Sequence, residues 1–381
     1  MTGTSLRLLF VIRSLATEAG GAERVLSQIC SELVDRGHSV EIASFDGPRT
    51  CDFYPLDPRV RRRRLGIGDV HAHTGLIELV RKIRALRRLI RQTKPDLAIG
   101  FMHSAFVPLA IGGWGTGVRV IASEHISYEH YHKRPLQKLL VLATARLCAV
   151  ITIPLERVRL GFPALIRENM ITVPNPVAMC SADRTTSNSP PRILFVANFR
   201  AQKDHRVLVD AFAKLAPLYP DWEMRLVGSG ELLEATRQQV LSLGLESRVC
   251  IPGATNDVAT EYASADLFAV SSFYESFGLG TAEALASGIP VIGFSDCAGT
   301  NELVIDGQNG VLVSGPDRAS ALAEGLAKLM SDEGLRRRLG SNGPDSVAHY
   351  SVDATTDRWE ELVRNVYSRG QPRRMMVREH G

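Results

Sequence analysis

The sequence predicts an α/β protein made of two doubly wound, parallel-sheet domains that face each other across a cleft. Three observations carry the prediction. Short, almost continuously apolar runs alternate with stretches of helical period, the pattern of parallel strands covered on both faces by helices. That alternation breaks once, at 173–191, where the chain turns polar, and then restarts. With 381 residues the chain is also long enough for two domains of ordinary size.

The first half supplies LRLLFVI, SVEIASF, DLAIGF, VRVIAS and AVITIP as buried strands. Between the first two, ERVLSQICSELVDRG sets Val25, Leu26, Ile29 and Leu33 on one helical face and stops at Gly37, a C-cap. A basic segment follows. From Arg59 to Lys94 there are twelve Lys or Arg against Asp69 and Glu78, a local charge of +10 in a chain of net +4, so the remainder carries −6. The segment opens with RVRRRR. It continues as LIELVRKIRALRRLIRQTK, with Leu76, Leu79, Val80, Ile83, Leu86, Leu89 and Ile90 at helical spacing. Arg81, Lys82, Arg84, Arg87, Arg88 and Arg91 take the other positions. Such a helix either docks on a core with its charges in water or rests on an anionic membrane surface. No nucleic-acid module accompanies the charge, so no nucleic-acid partner is expected.

VPNPVAMCSADRTTSNSPP, at 173–191, has little to bury and reads as a linker. RILFVANF, EMRLVGSG, RVCIPG, DLFAVSS, PVIGFS and GVLVS then form the second set of strands. DATTDRWEELVRNVYSRG closes the pattern as a helix with Trp359, Leu362, Val363 and Val366 on one face, followed by a basic tail. The expected boundaries are 1–175 for the first domain, 176–191 for the linker, 192–355 for the second domain and 356–381 for the final helix and tail.

Composition narrows the function classes. Hydrophobic residues make up 45% and charged residues 23%, the profile of a globular protein in water rather than of a membrane or disordered chain. No apolar run is long enough to span a bilayer, and the first residues run straight into a strand without a secretory cleavage site. The six cysteines are scattered without CxxC spacing, so neither a disulfide framework nor a zinc site is expected, and a cytoplasmic location fits. No GxGxxG fingerprint or Walker lysine is present, which argues against hydride transfer and a P-loop ATPase.

In open α/β sheets ligands sit beyond the carboxyl ends of the strands, so the strand-end residues hold the candidates. Gly20 and Gly21 follow the first strand and open a helix. Asn198, Arg200 and Lys203 follow RILFV, and Gly228 opens the turn after EMRLV. Each turn offers free N–H groups and a helix dipole suited to an anion. The stretch YESFGLGTAEALASGIPVI adds Glu275 before a helix start and Glu283 about one turn inside it, with Gly278 and Gly280 between. Phosphate oxygens suit the glycine turn, whereas carboxylates repel phosphate and accept hydrogen bonds from hydroxyls. A diphosphate with a sugar on each side, a nucleotide sugar, satisfies all of these groups.

The two glutamates seven residues apart, FGL between them and EALASGIPVI after them resemble the signature of retaining glycosyltransferases of family 4, which have the GT-B fold of two Rossmann-like domains. GGAERV, the segment ending at Lys203, VGSGEL, PGATNDV and CAGTNELVIDGQNGVLV follow in the family's order and extend the resemblance over nearly the whole chain. It implies an acceptor-binding first domain, a nucleotide-sugar-binding second domain and a last helix that crosses back. Glu283 would bind the ribose, Glu275 the transferred sugar, and Lys203 the leaving diphosphate. Backbone N–H groups at Phe277, Gly278, Leu279 and Gly280 would help, with Gly20 and Gly21 approaching from the other domain and Gly253 lying near the base. His125 would stand beside the sugar or acceptor, and Glu302 matches an acid close to the donor or else caps its own helix. Where the family commonly has an arginine, this chain has Asn198; Arg200 is the neighbouring cation.

The resemblance further implies retention at the anomeric carbon without a protein nucleophile. No acids or histidines stand at metal-ligand spacing, such as Asp-x-Asp at a strand end, so metal-independent chemistry is expected. A UDP-linked hexose or N-acetylhexosamine is the favoured donor, then GDP-mannose, and the acceptor is a saccharide or lipid-linked acceptor in polysaccharide or glycolipid synthesis. A soluble natural-product acceptor, a nucleotide-sugar epimerase and a non-catalytic nucleotide-sugar binder are the alternatives. The basic segment suggests a peripheral position on the inner face of the cell membrane.

Overall fold

The computed structural model describes residues 4–16, 20–68, 75–178 and 190–369. Its first sheet is formed by β1 (Arg7–Ile12), β2 (Ser39–Ser44), β3 (Arg61–Arg64), β4 (Leu97–Phe101), β5 (Arg119–Ser123), β6 (Val150–Ile153) and β7 (Met170–Thr172). Its second is formed by β8 (Arg192–Val196), β9 (Glu223–Val227), β10 (Val249–Gly253), β11 (Leu267–Ala269), β12 (Val291–Phe294) and β13 (Gly310–Val313). The orders are β3-β2-β1-β4-β5-β6-β7 and β10-β9-β8-β11-β12-β13, and the pairings in both sheets are parallel. Both sheets are doubly wound. The order reverses beside β1 in one and beside β8 in the other, so a crevice opens at the carboxyl end of each first strand.

The first domain carries α1 (Gly21–Asp35), α2 (Leu76–Thr93), α3 (His103–Gly113), α4 (Pro135–Ala145), α5 (Glu156–Leu160) and α6 (Ala164–Arg167). The second carries α7 (His205–Leu215), α8 (Leu233–Ser242), α9 (Val258–Ala263), α10 (Leu279–Ala286), α11 (Thr300–Leu303), α12 (Arg318–Ser331), α13 (Glu333–Ser341) and α14 (Gly343–Val347). A last helix, α15 (Val352–Ser368), starts four residues before the expected boundary at 356. It belongs to the first domain's core: Trp359 is buried and packs on Phe10 and Phe101. Arg36 on α1 holds it with ion pairs to Asp357 and Glu360. The chain therefore crosses between domains twice, and the crossings touch where Val177 N–H donates to the Tyr350 carbonyl at 2.8 Å. Of the predicted linker, 179–189 lies outside the described residues, as does the tail at 370–381.

The basic segment departs from its expected form. Residues 61–64 of RVRRRR are not free surface but the edge strand β3, in register with β2 from Glu41↔Arg61 to Ser44↔Arg64. Acids meet these arginines: Arg62 pairs with Asp46 and Asp52, Arg63 with Glu41, and Arg64 with Asp52. Arg59, just outside the strand, pairs with Asp35 and Asp57. On α2 only the second half buries its apolar face, through Leu86, Leu89 and Ile90. Leu76 and Ile77 are 78% and 73% exposed, whereas Lys82, expected on the solvent face, is buried over the Phe45 ring and paired with Glu78 at 2.5 Å. Residues 69–74 of this segment lie outside the described set.

Candidate active site

The carboxyl ends of β1 and β8 face each other, and between them lies a cavity of about 150 Å³. From the second domain it is walled by Ala197, Asn198, Arg200 and Lys203 after β8, Val227 and Gly228 after β9, Thr255 and Val258 after β10, and Leu279, Gly280 and Glu283 on α10. The first domain contributes Gly21 and Arg24 on α1 and Tyr54 from the loop after β2. Of the expected donor residues, the structure thus brings together Gly21, Asn198, Arg200, Lys203, Gly228, Leu279, Gly280 and Glu283.

Local geometry explains the glycines. Gly278 is the N-cap of α10 with φ +82°, a left-handed conformation that a β-carbon disfavours. Gly228 has φ +153°, and a β-carbon there would lie 2.1 Å from the Ala197 carbonyl, so the turns after β8 and β9 touch only because no side chain intervenes. Gly20 is the N-cap of α1 and leaves room for the Glu23 carboxylate. Gly253 ends β10 with φ +97°. Phe277 is buried and packs edge-on against Tyr350, so only its backbone can serve a ligand.

The two glutamates sit on either side of the α10 N-terminus, each 7% exposed. Glu275 is held by Lys203, whose Nζ lies 2.6 Å from both carboxylate oxygens, and by the Ser272 hydroxyl at 2.7 Å. Glu283 accepts from the Tyr262 hydroxyl at 2.9 Å on one oxygen and pairs across the cleft with Arg24 at 2.5 Å on the other. Glu302 does not line this cavity. Its two oxygens accept the backbone N–H groups of Glu156 and Arg157 at 3.3 and 3.1 Å, so it caps α5 of the opposite domain.

Across the cleft, the carboxyl ends of β4 and β5 carry a histidine cluster. His125 stacks on Phe101, its Nε2 lies 2.8 Å from the Ser123 hydroxyl, and its Nδ1 has no hydrogen-bond partner among the described residues. Beside it Glu124 is fully buried and accepts the Tyr131 hydroxyl at 2.6 Å and two backbone N–H groups. His103 Nδ1 lies 3.1 Å from the Tyr131 oxygen, and when Glu124 is ionised and takes that hydroxyl's hydrogen, the imidazole donates through Nδ1–H. Burial pushes the Glu124 carboxyl up to about 7 and His103, His125 and His130 down to about 4, with Arg134 further lowering His103 and His130. At neutral pH this wall offers uncharged imidazoles able to hydrogen bond to hydroxyl groups.

Sequence reasoning missed Arg24, Tyr54 and the His103–Tyr131–Glu124 chain. Arg24 and Tyr54 act only when the second domain is opposite them, and no local pattern marks them. His103 had a signal: it follows a strand end, at the same level as His125.

The two halves of the chain match known families. Residues 181–346 match the family described as "Glycosyl transferases group 1", and residues 19–177 match "Glycosyltransferase Family 4". An uncharacterized glycosyltransferase from Haemophilus influenzae is 23% identical, with 91% of this chain and 96% of that protein aligned. A Campylobacter jejuni relative is 24% identical over 95% of this chain and 99% of its own length; its name describes an α-1,4-N-acetyl-D-galactosaminyltransferase acting on an undecaprenol-diphosphate-linked glycan. The crystal structure of Anabaena HepE in complex with UDP and glucose superposes with a TM-score of 0.75 at 21% identity, covering 94% of this chain and 99% of that one.

Proposed function

Since the chain is a glycosyltransferase of the GT-B type, we propose that it moves a hexose or N-acetylhexosamine from a UDP-sugar to a saccharide or lipid-linked acceptor, with retention. The observation that carries this reading is one interdomain cavity lined by Glu283, the first turn of α10 (Leu279 and Gly280) and Lys203, with Glu275 bound to the Lys203 ammonium behind it. Ribose hydroxyls suit Glu283, the diphosphate suits the free N–H groups at Gly278–Gly280 with Lys203 and Arg200, and the transferred sugar suits Glu275. UDP is favoured because a fold neighbour binds it, and GDP-mannose comes next.

In the reaction, the bond from the anomeric carbon to the β-phosphate oxygen breaks, and the acceptor oxygen bonds to the same face. Its proton passes to the departing phosphate oxygen. Lys203, Arg200 and the α10 dipole stabilise charge building on the diphosphate, without a metal ion. Neutral His125 and His103 orient hydroxyl groups from the acceptor side. For the acceptor, the lipid-linked class draws support from the Campylobacter relative and from the exposed apolar and basic start of α2 (Leu76, Ile77, Val80, Arg81, Arg84), which suits a peripheral position on an anionic membrane. No helix among the described residues is long and apolar enough to cross a membrane.

A thermal-shift panel of UDP-, GDP-, ADP- and dTDP-sugars with EDTA tests the donor reading. The UDP-sugars should raise the melting temperature of the wild type and leave Glu283→Ala unmoved. A shift with no nucleotide in wild-type protein would overturn it.

A further inference from the structure

Arg24 is the cation that the first domain places on the wall of the donor cavity, and it is engaged with the acid the ribose needs. Its guanidinium lies 2.5 Å from Glu283, and both side chains are largely buried. A second cavity of about 400 Å³ lies on the far side of this pair and shares Arg24, Tyr54, Val258 and Glu283 with the first. At about 150 Å³ the donor cavity is below the roughly 300–1,000 Å³ usual for ligand sites, so the ion pair partitions a larger space. A nucleotide sugar enters only if one partner gives way. Glu283 sits on α10 and is pinned by the Tyr262 hydroxyl at 2.9 Å, whereas Arg24 has a long, unbranched side chain. The arginine is the partner that moves.

Once moved, a buried guanidinium needs a new anion, because stranding it is costly. The same cavity would hold one. Asn198 is neutral and Lys203 is already shared with Glu275, which leaves Arg200 as the other cation on that wall. Resting on the donor reading above, we propose that Arg24 exchanges partners on donor binding: it yields Glu283 to the ribose hydroxyls and takes the diphosphate from the side of the first domain. Closure of the cleft and neutralisation of the leaving group then become one event, since this cation reaches the phosphates only from the opposite domain.

The exchange predicts opposite responses to nucleoside and nucleoside diphosphate. Binding of uridine and of UDP is measured by calorimetry or competition for wild type, Arg24→Ala and Arg24→Lys, with circular dichroism to check folding. Arg24→Ala should bind uridine at least as tightly as wild type, because the competitor for Glu283 is gone. It should bind UDP about tenfold more weakly or worse, since a charged hydrogen bond contributes about 1.5–3 kcal/mol. Arg24→Lys should recover much of the UDP affinity. Equal weakening of both ligands would make Arg24 a structural residue and overturn the exchange; tighter binding of both would make it only a latch and overturn it too. Wild-type protein that binds neither ligand would instead overturn the donor reading, and this inference with it.

Discussion

Lys203 lines the interdomain cavity and holds Glu275 in a two-oxygen contact, with Nζ 2.6 Å from both carboxylate oxygens. An ammonium has three donors, so Lys203 can keep Glu275 and still reach a phosphate oxygen. Replacing it with methionine removes the cation that would offset charge on the proposed leaving diphosphate and leaves Glu275 buried without its partner. Lys203→Met should lower kcat/KM by about 10²–10³-fold, mostly in kcat, in a donor-to-acceptor transfer assay; an unchanged kcat would remove Lys203 from the chemistry. Lys203, Glu275 and Glu283 were legible in the sequence because a helix N-terminus fixes the acids by spacing alone. Arg24 was not, because three residues into α1 it reads as ordinary helix surface. Its partner lies 259 positions along the chain, on another domain. Glu302 reads from the sequence as near the donor or as a cap on its own helix; it instead caps α5 of the opposite domain, which local sequence cannot reveal.

At the scale of elements, the strands with apolar runs were legible and β3 was not. Four consecutive arginines have no alternation and poor strand propensity, and the acids that make the strand tenable lie on β2 and the loops after it. The pairing also charges an edge that would otherwise invite other chains. Arg62 does more than the rest. It braces Asp46, whose carboxylate accepts from the Ser14 and Ser44 hydroxyls and from the Leu15 N–H, so β3 is tied to the turn after β1 that leads toward Gly20. Arg62→Ala should destabilise the protein by about 3 kcal/mol and lower its melting temperature. Arg61→Ala, on an exposed position, should change stability by no more than about 0.5 kcal/mol. Equal effects in a denaturant titration would contradict this division of labour. The same segment explains why α2 was half misread: periodicity marked the right face, but the first half of the helix has no neighbour to cover it, and Lys82 took a buried place because Glu78 and Phe45 receive it.

For the whole molecule, burial of the acceptor-side cluster makes stability depend on pH in two directions. His103, His125 and His130 have folded pKa values near 4 against the usual 6.5, so the unfolded chain binds protons first and stability falls as pH drops from about 6.5 toward 4. Glu124 runs the other way: its folded pKa of about 7 lies above the usual 4.5, so stability is lost as pH rises from about 4.5 through 7. Glu124→Gln should therefore gain in melting temperature relative to wild type as pH is raised from 5 to 8, and a constant difference across that range would count against an ionising Glu124. The membrane reading has its own test at this scale. Flotation with phosphatidylglycerol vesicles should weaken when Leu76 and Ile77 become Asp or when Arg81 and Arg84 become Glu. The contact between Val177 and Tyr350 bears on motion. It ties the end of the first domain's described chain to the segment just before α15, so these two segments move together.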